Sequence, residues 1–254
     1  MWHDIINIRD FYNSMLGRQC QRLINIQLYE LWPTLQNQSV LGLGYSTPYL
    51  AALRQRAGRV SAAMPAAQGV LHWPIEGPGL TTLVDELSLP FADLSLDRVI
   101  LVHALEHSEQ VRPFLREVWR VLAGGGRLIV IAPNRRGLWA RFERTPFGSG
   151  LPYSSQQLSL TLRENMFTLT NMRRALFMPP LRSRMIHSTS GAWETIGARY
   201  FSVLGGVNIA EATKQIYAGS DAGVSSKIHS YLPVPGKTRP ISEKSSYNQS
   251  TQRN

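Results

Sequence analysis

The chain is poor in cysteine, since Cys20 carries the one thiol among 254 residues. A single cysteine excludes an internal disulfide and is typical of a reducing compartment, so we expect a cytoplasmic protein. No apolar run approaches the roughly 20 residues that a membrane-spanning helix needs. The first residues carry no basic region followed by an apolar core, so we expect no secretory signal either.

Acidic residues are also scarce. The chain has 17 of them and 27 lysines and arginines, which gives a net charge of +10. A basic balance of this size favours contact with nucleic acid or with an anionic membrane. The arginines are scattered, however, and do not alternate with aromatic residues as a stacking platform for bases would require. We therefore favour the simpler explanation, an arginine-rich protein with a basic tail, and keep nucleic acid as a possible partner that no motif supports.

The central part of the sequence predicts two strands and a helix. Residues 99–102 and 128–132 are short, largely β-branched apolar runs, the pattern of strands buried on both faces of a sheet. Apolar positions at helical spacing predict a helix over 111–122, which the glycines at 124–126 would end. Strand, helix and strand with short joints predict a right-handed crossover between parallel strands.

Similar patterns recur along the rest of the chain. They predict a helical region over 4–31 with a break near Gly17, strands at 39–43, 59–64, 167–177 and 206–218, and helices at 47–57, 155–165 and 181–201. Beyond about Gly219 the apolar residues become sparse, and Ser, Lys, Pro, Asn and Gln dominate. A segment of this composition buries too little apolar area to offset its ordering entropy, so we expect a disordered tail over 219–254.

A series of short motifs links these elements. They are L-P-F at 89–91, an acid at 97, the strand at 99–102, H-A-L-E-H at 103–107, R-V-L at 120–122 and G-G-R-L at 125–128. In this order and spacing they resemble the class I S-adenosylmethionine-dependent methyltransferases, in the broad type 11 group. The resemblance implies methyl transfer from S-adenosylmethionine to an acceptor that the sequence does not identify.

The resemblance also implies a fold. We expect an α/β protein with a doubly wound, Rossmann-like sheet of seven strands, the last of them antiparallel, and with helices added at the N-terminus. The expected organisation is an N-terminal helical cap at 1–38, a methyltransferase-like domain at 39–218 and the tail at 219–254.

Cofactor contacts are implied by the resemblance at the carboxyl ends of the strands. The positions are Gly42, Gly44, Tyr45, Ser46, Met64, Asp85, Glu86, Leu87, His103 and Ala104. Asp85 stands where the family accepts a hydrogen bond from the adenine amino group, and a carboxylate there gives a charge-assisted bond. Glu86 and Leu87 would line the adenine, while His103 and Ala104 would lie beside the methionine part.

Three of these positions depart from the family pattern. Gly42 replaces an acid, Ser46 replaces the second glycine of the first motif, and Met64 stands where a carboxylate normally accepts both ribose hydroxyls. Gly44 does match its glycine, and Gly44 and Ser46 still allow close approach of a ligand to the backbone. The departures favour an alternative, a catalytically inactive methyltransferase-like protein that serves as a binding or regulatory partner.

Three further alternatives concern the chemistry. H-A-L-E-H also fits an inverted zinc-protease motif, but that motif needs a helix, and here a strand runs straight into His103, so we expect no metal. His107 is a candidate base toward a methyl acceptor, or a structural histidine at the start of the next helix. A nucleic-acid methyltransferase would rest on charge alone, because A-P-N-R stands where the N/D-P-P-Y/F motif of such enzymes is expected.

Overall fold

A computed structural model of the chain describes residues 4–181 and 189–215. The helices of this part are α1 (Ile5–Asn13), α2 (Met15–Leu31), α3 (Thr47–Arg54), α4 (Val111–Val121), α5 (Ser155–Glu164) and α6 (Ser190–Tyr200). The strands are β1 (Ser39–Gly44), β2 (Arg59–Pro65), β3 (Thr81–Val84), β4 (Leu96–Val102), β5 (Leu122–Pro133), β6 (Phe167–Ala175) and β7 (Val207–Lys214). Short 3-10 turns lie at Trp139–Arg141, Pro146–Gly148 and Ser202–Leu204.

The described strands form one sheet of seven strands in the order β3-β2-β1-β4-β5-β7-β6. Neighbouring strands from β3 to β5 pair in parallel, whereas β7 is antiparallel to both β5 and β6. This arrangement confirms the predicted α/β class, the seven strands and the antiparallel last strand.

Helices cover both faces of the sheet because side chains alternate along each strand. On β4, Ile100 and Val102 belong to a core that includes residues of α1, α2 and α3. Val99 and Leu101 point the other way and belong to a core that includes residues of α4 and α5. All four side chains are fully buried, which is why the strand reads as a continuous apolar run.

The N-terminal helices differ from the prediction in where they break. The break lies at Ser14, not near Gly17, because the Ser14 hydroxyl accepts a hydrogen bond from the Gly17 amide and donates one to the Phe11 carbonyl. Ser14 is thus the N-cap of α2. Gly17 has another role, since a β-carbon there would lie 2.0 Å from the Phe11 carbonyl oxygen.

The glycines at 124–126 lie inside a strand rather than at a helix end. Helix α4 ends at Val121, and β5 already begins at Leu122. The pairing of β4 with β5 shifts register between Leu96 and Arg98, so the glycines belong to the irregular part of β5. Glycine is common both in strand irregularities and at helix ends. Here the pairing of β5 with β4 places the glycines in the strand.

Parts of three predictions fall outside the described residues. For the predicted helix at 181–201 the described portion is α6, with 182–188 outside it. The predicted last strand is described to Lys214, and both 216–218 and the predicted tail at 219–254 lie outside. The domain boundaries stay predictions. Among the described residues, we find no helix with the length and apolar character needed to cross a membrane.

Candidate functional site

The carboxyl ends of the parallel strands meet at one edge of the sheet, where ligands bind in doubly wound folds. Most of the predicted site positions lie in the loops at this edge, in the segments that follow β1, β3 and β4, with Met64 near the end of β2. The site has two parts that differ in openness. We call them the outer cleft and the inner cluster.

The outer cleft lies between the ends of β2 and β3 and the loop before α4. It has a volume of about 410 Å³ and is lined by Pro65, Ala66, Ala67, Val84, Asp85, Glu86, Leu87, Glu109 and Gln110. The three consecutive residues that the resemblance implies as adenine contacts all line this cleft. Asp85 is exposed, and its Oδ1 accepts a hydrogen bond of 2.9 Å from the Leu87 amide, which holds the loop in a tight turn.

Three carboxylates give the outer cleft a negative character. Asp85, Glu86 and Glu109 all line it. Partial burial raises the pKa of Glu86, and the charges of Asp85 and Glu109 raise it further, against the lowering effect of a hydrogen bond from the Ser108 hydroxyl at 2.8 Å. The sequence alone did not identify Glu109 as a site residue, because no periodicity or motif placed it opposite the β3 loop.

The glycines of β1 make room for the protein's own atoms. Gly44 has φ +75°, and a β-carbon there would lie 2.3 Å from the Val102 carbonyl oxygen. A β-carbon on Gly42 would lie 2.1 Å from Oγ of Ser46. Ser46 is itself fully buried, and its hydroxyl has no hydrogen-bond partner among the described residues. An unpaired buried hydroxyl is costly, so Ser46 is a candidate ligand contact.

The inner cluster lies where β1 and β4 end and is filled with aromatic rings. Its members are Tyr12, Tyr45, Tyr49, His103 and Phe147, all buried. The Tyr12 hydroxyl from α1 lies 2.9 Å from the Tyr49 hydroxyl and 2.9 Å from Nε2 of His103. Its ring stacks on Tyr45 at 5.5 Å between centroids. On the other side, the Phe147 ring lies 4.9 Å from that of His103.

His103 connects this cluster to a buried carboxylate. Its Nδ1 lies 3.3 Å from Oε1 of Glu106, and both side chains are almost entirely buried. The residue has φ +49°, an uncommon conformation for a non-glycine residue, and strained backbone of this kind occurs at functional sites. The His103 carbonyl accepts a hydrogen bond of 3.2 Å from the Gln68 amide, which fixes the loop from the side of β2.

The protonation of the tyrosines orders this network. Burial raises the pKa of Tyr12 and of Tyr49 well above the ordinary tyrosine range, and the neighbouring Tyr49 raises that of Tyr12 further. Both hydroxyls therefore keep their protons. In the arrangement that satisfies both tyrosines, Tyr49 donates to Tyr12 and Tyr12 donates to Nε2 of His103. Nδ1 of His103 lies 3.3 Å from Oε1 of Glu106 without forming a hydrogen bond there.

The H-A-L-E-H motif lies in a turn after β4, as its position behind a strand predicted. Ala104 is buried and accepts a hydrogen bond of 3.1 Å from the His107 amide. His107, the candidate base, is buried as well. Within residues 4–181 and 189–215, no three His, Cys, Asp or Glu side chains are placed to hold a metal ion.

The two parts of the site fit the halves of S-adenosylmethionine unequally. The outer cleft, with its small apolar residues and carboxylates, suits the adenosine half. Met64 offers no carboxylate for the ribose, and its thioether side chain is fully buried in the core that includes α1 residues. Tyr12 fills the space beside His103 and Tyr45, where the resemblance implies the methionine half.

Comparison with known proteins finds similarity to methyltransferases over part of the chain. Residues 27–130 match the profile of a family described as a methyltransferase domain. A demethylmenaquinone methyltransferase of Corynebacterium efficiens is 28% identical over 130 residues, which are 51% of this chain and 56% of that protein. An ajmaline N-methyltransferase of Rauvolfia serpentina is 30% identical over 80 residues, 32% of this chain and 26% of that protein.

These curated relatives are matched over about a quarter to just over half of their own length. A crystal structure of a methyltransferase from Thermotoga maritima, which uses S-adenosylmethionine, has a similar fold, with a TM-score of 0.55 over 82% of this chain and 94% of that one. The two sequences are 15% identical, so this likeness concerns the fold alone.

Proposed function

We propose that this chain is a class I S-adenosylmethionine-dependent methyltransferase and transfers the methyl group of this cofactor to an acceptor, because residues 27–130 match the profile of a methyltransferase domain. The observation that carries the proposal is the outer cleft, where Asp85, Glu86 and Leu87 line one opening at the carboxyl ends of β2 and β3. Their placement agrees with the adenine contacts that the family resemblance implies.

In this proposal the residues of the outer cleft hold the adenosine. The Asp85 carboxylate accepts a hydrogen bond from the adenine amino group, and Leu87 packs against the ring. Glu109 lies in the same cleft and supplies an acidic acceptor for hydroxyl groups in place of the acid missing at Met64. The carboxylates also attract the positively charged cofactor.

The inner cluster would serve the reacting half. The bound cofactor supplies an electrophilic methyl group on a sulfonium, and transfer requires chiefly alignment with the acceptor and exclusion of water. Tyr45 and Phe147 exclude water from the ends of β1 and β4. The His103–Glu106 pair is placed to take a proton from an acceptor hydroxyl or amine once Tyr12 has left Nε2, and His107 is the second candidate.

A second candidate function is a binding module without catalysis. Two observations favour it, the burial of Met64 where a ribose acid is expected and the contact of Tyr12 with His103, beside which the resemblance implies the methionine half. In that case partners would recognise the surface of the domain rather than its cleft. We propose a cytoplasmic location for either function, because Cys20 is a free and buried thiol.

Calorimetry distinguishes the two functions. Purified full-length protein is titrated with S-adenosylmethionine and, separately, with S-adenosylhomocysteine, using Asp85→Asn as the matched variant. The methyltransferase proposal expects saturable binding of both compounds that the variant weakens. Absence of binding at millimolar ligand would remove the proposal and leave the binding module.

A further inference from the structure

The last described helix leaves an apolar stripe uncovered. On α6 the buried positions are Ser190 and Gly197. The side of the helix next to these buried positions carries three large apolar residues spaced by three and four: Trp193, Ile196 and Tyr200. These residues are exposed by 44%, 51% and 68%. A helix that packs on a core usually covers its large apolar residues, so this stripe lacks a partner among the described residues.

The stripe continues onto the next segment of the chain. Phe201, Val203 and Leu204, in and beside the turn Ser202–Leu204, are exposed as well. Gly197 and Gly205 both lie against the Phe177 side chain, which brings α6 and this turn together.

Arginines flank the same region. The loop at 134–144 carries Arg135, Arg136, Arg141 and Arg144, all exposed, with Leu138 and Phe142 exposed between them. Hydrogen bonds from the Asn134 amide to the carbonyls of residues 203 and 205, at 2.9 and 2.7 Å, hold this loop beside the turn. We call the α6 stripe, the turn and this loop the apolar–arginine face.

We propose that the apolar–arginine face docks the protein onto the surface of an anionic lipid bilayer. Exposed tryptophan and tyrosine beside aliphatic residues suit the boundary between headgroups and acyl chains. The loop at 134–144 holds four arginines against the single acid Glu143, and the whole chain carries a net charge of +10, so the face complements anionic headgroups.

The face also adjoins a cavity, one wall of which packs against the inner cluster. A cavity of about 280 Å³ is lined by residues that include Phe11, Phe142 and Arg144, the last two of which belong to the face. Phe11 contacts Phe147 at 6.1 Å between ring centroids, and Phe147 in turn contacts His103. Docking would therefore set this cavity next to the bilayer.

Vesicle flotation of the full chain tests the proposal without cofactor or acceptor, so its outcome is separate from that of the proposed reaction. We expect binding to phosphatidylcholine vesicles that contain phosphatidylglycerol, weaker binding as salt rises, and little binding to phosphatidylcholine alone. The double variant Trp193→Ser, Tyr200→Ser should weaken binding about tenfold or more. Each of Arg135→Gln and Arg136→Gln should weaken it about fivefold.

The matched control changes one apolar residue and one charge elsewhere. Two exposed residues outside the face serve for this control, Arg59 and Ile75, the latter 92% exposed. The double variant Ile75→Ser, Arg59→Gln should bind vesicles like the wild type. Thermal melts check that every variant folds. The proposal is wrong if the face variants bind vesicles like the wild type. It is also wrong if the control variant loses as much binding as they do, because the charge of the whole chain would then account for the vesicle binding.

Two more measurements compare the wild type with variants of the face. Lipids brominated on their acyl chains should quench its tryptophan fluorescence, and Trp193→Phe should remove part of that quenching. Light scattering gives the mass in solution. A dimer that the Trp193→Ser, Tyr200→Ser variant converts to a monomer, with no vesicle binding by the wild type, would assign the face to a second copy of this chain and overturn the proposal.

Discussion

The Tyr12 hydroxyl lies 2.9 Å from Nε2 of His103 and so ties the N-terminal helix α1 directly to the end of β4. The same hydroxyl meets Tyr49 at 2.9 Å, and all three side chains are buried. The Tyr12 hydroxyl oxygen thus connects α1, α3 and the loop that follows β4.

The first prediction concerns the stability of this connection. Tyr12→Phe keeps the ring that stacks on Tyr45 but leaves His103 and Tyr49 without their shared partner. A buried group deprived of its hydrogen bond costs about 1–3 kcal/mol, so the free energy of unfolding should fall by that amount. Urea unfolding measures it, with Tyr200→Phe, at an exposed tyrosine, as the control. A variant as stable as the wild type would contradict the network.

The second prediction concerns cofactor affinity. Asp85→Asn keeps the size of the side chain but replaces a charged acceptor with a neutral amide. Affinity for S-adenosylhomocysteine should fall by about 1–2 kcal/mol, the difference between charged and neutral hydrogen bonds. The melting temperature should hardly change, because Asp85 is exposed.

Asp10→Asn is the matched control for this measurement. Asp10 is an exposed acid that pairs with Arg9 on α1 and does not line the outer cleft. It should leave the affinity unchanged. Equal affinities for the wild type and Asp85→Asn would show that the adenine does not lie against this loop.

Much of the fold could be predicted because the burial of a strand or a helix face produces a local pattern of apolar residues in the sequence. The run at 99–102 is apolar at every position because both faces of β4 are covered, and the spacing over 111–122 follows the buried side of α4. The glycines at 124–126 were assigned wrongly to a helix end, since the pairing of β5 with β4 is a contact between segments that are distant in sequence.

The site was harder to predict for a related reason. Family motifs indicated Asp85 and His103, which lie in the outer cleft and the inner cluster. Tyr12 and Glu109 carry no local pattern that marks them, and tertiary packing alone brings each to its place. Gly44 was interpreted as room for a ligand, whereas the structure shows it also makes room for the backbone of β4.

The third prediction concerns pH. Burial and the neighbouring acids raise the pKa of Glu86 above its ordinary value of 4.5, so the folded state holds its proton more tightly than the unfolded state does. Stability is then lost as pH rises through the interval from the unfolded pKa to the raised one. Glu86→Gln removes this loss and should be the more stable protein at neutral pH, with the advantage gone well below pH 4.5.

Urea unfolding across this pH range measures the effect, and Glu117→Gln provides a control of opposite sign. Hydrogen bonds from Arg120 lower the pKa of Glu117. Its contribution is therefore present at neutral pH and is lost as pH falls through the lowered pKa, so this variant should be less stable than the wild type at neutral pH. If both variants shifted in the same direction, the environment assigned to Glu86 would be wrong.

The last prediction compares two glycines with nearly the same backbone and different surroundings. Gly44 has φ +75° and Gly125 has φ +78°. A β-carbon on Gly125 would meet no atom within 4 Å, whereas one on Gly44 would lie 2.3 Å from the Val102 carbonyl oxygen. Gly125→Ala should therefore cost only the left-handed conformation, about 1–2 kcal/mol of the free energy of unfolding.

Gly44→Ala should cost more, because the added methyl group also forces β1 away from the end of β4. Overpacking of this kind adds about 1–3 kcal/mol. Urea unfolding of both variants gives the comparison, since the conformational cost is common to the pair and cancels in their difference. Equal losses would show that β1 and β4 are not in close contact at Gly44, and the motif glycine would then serve a ligand instead of the sheet.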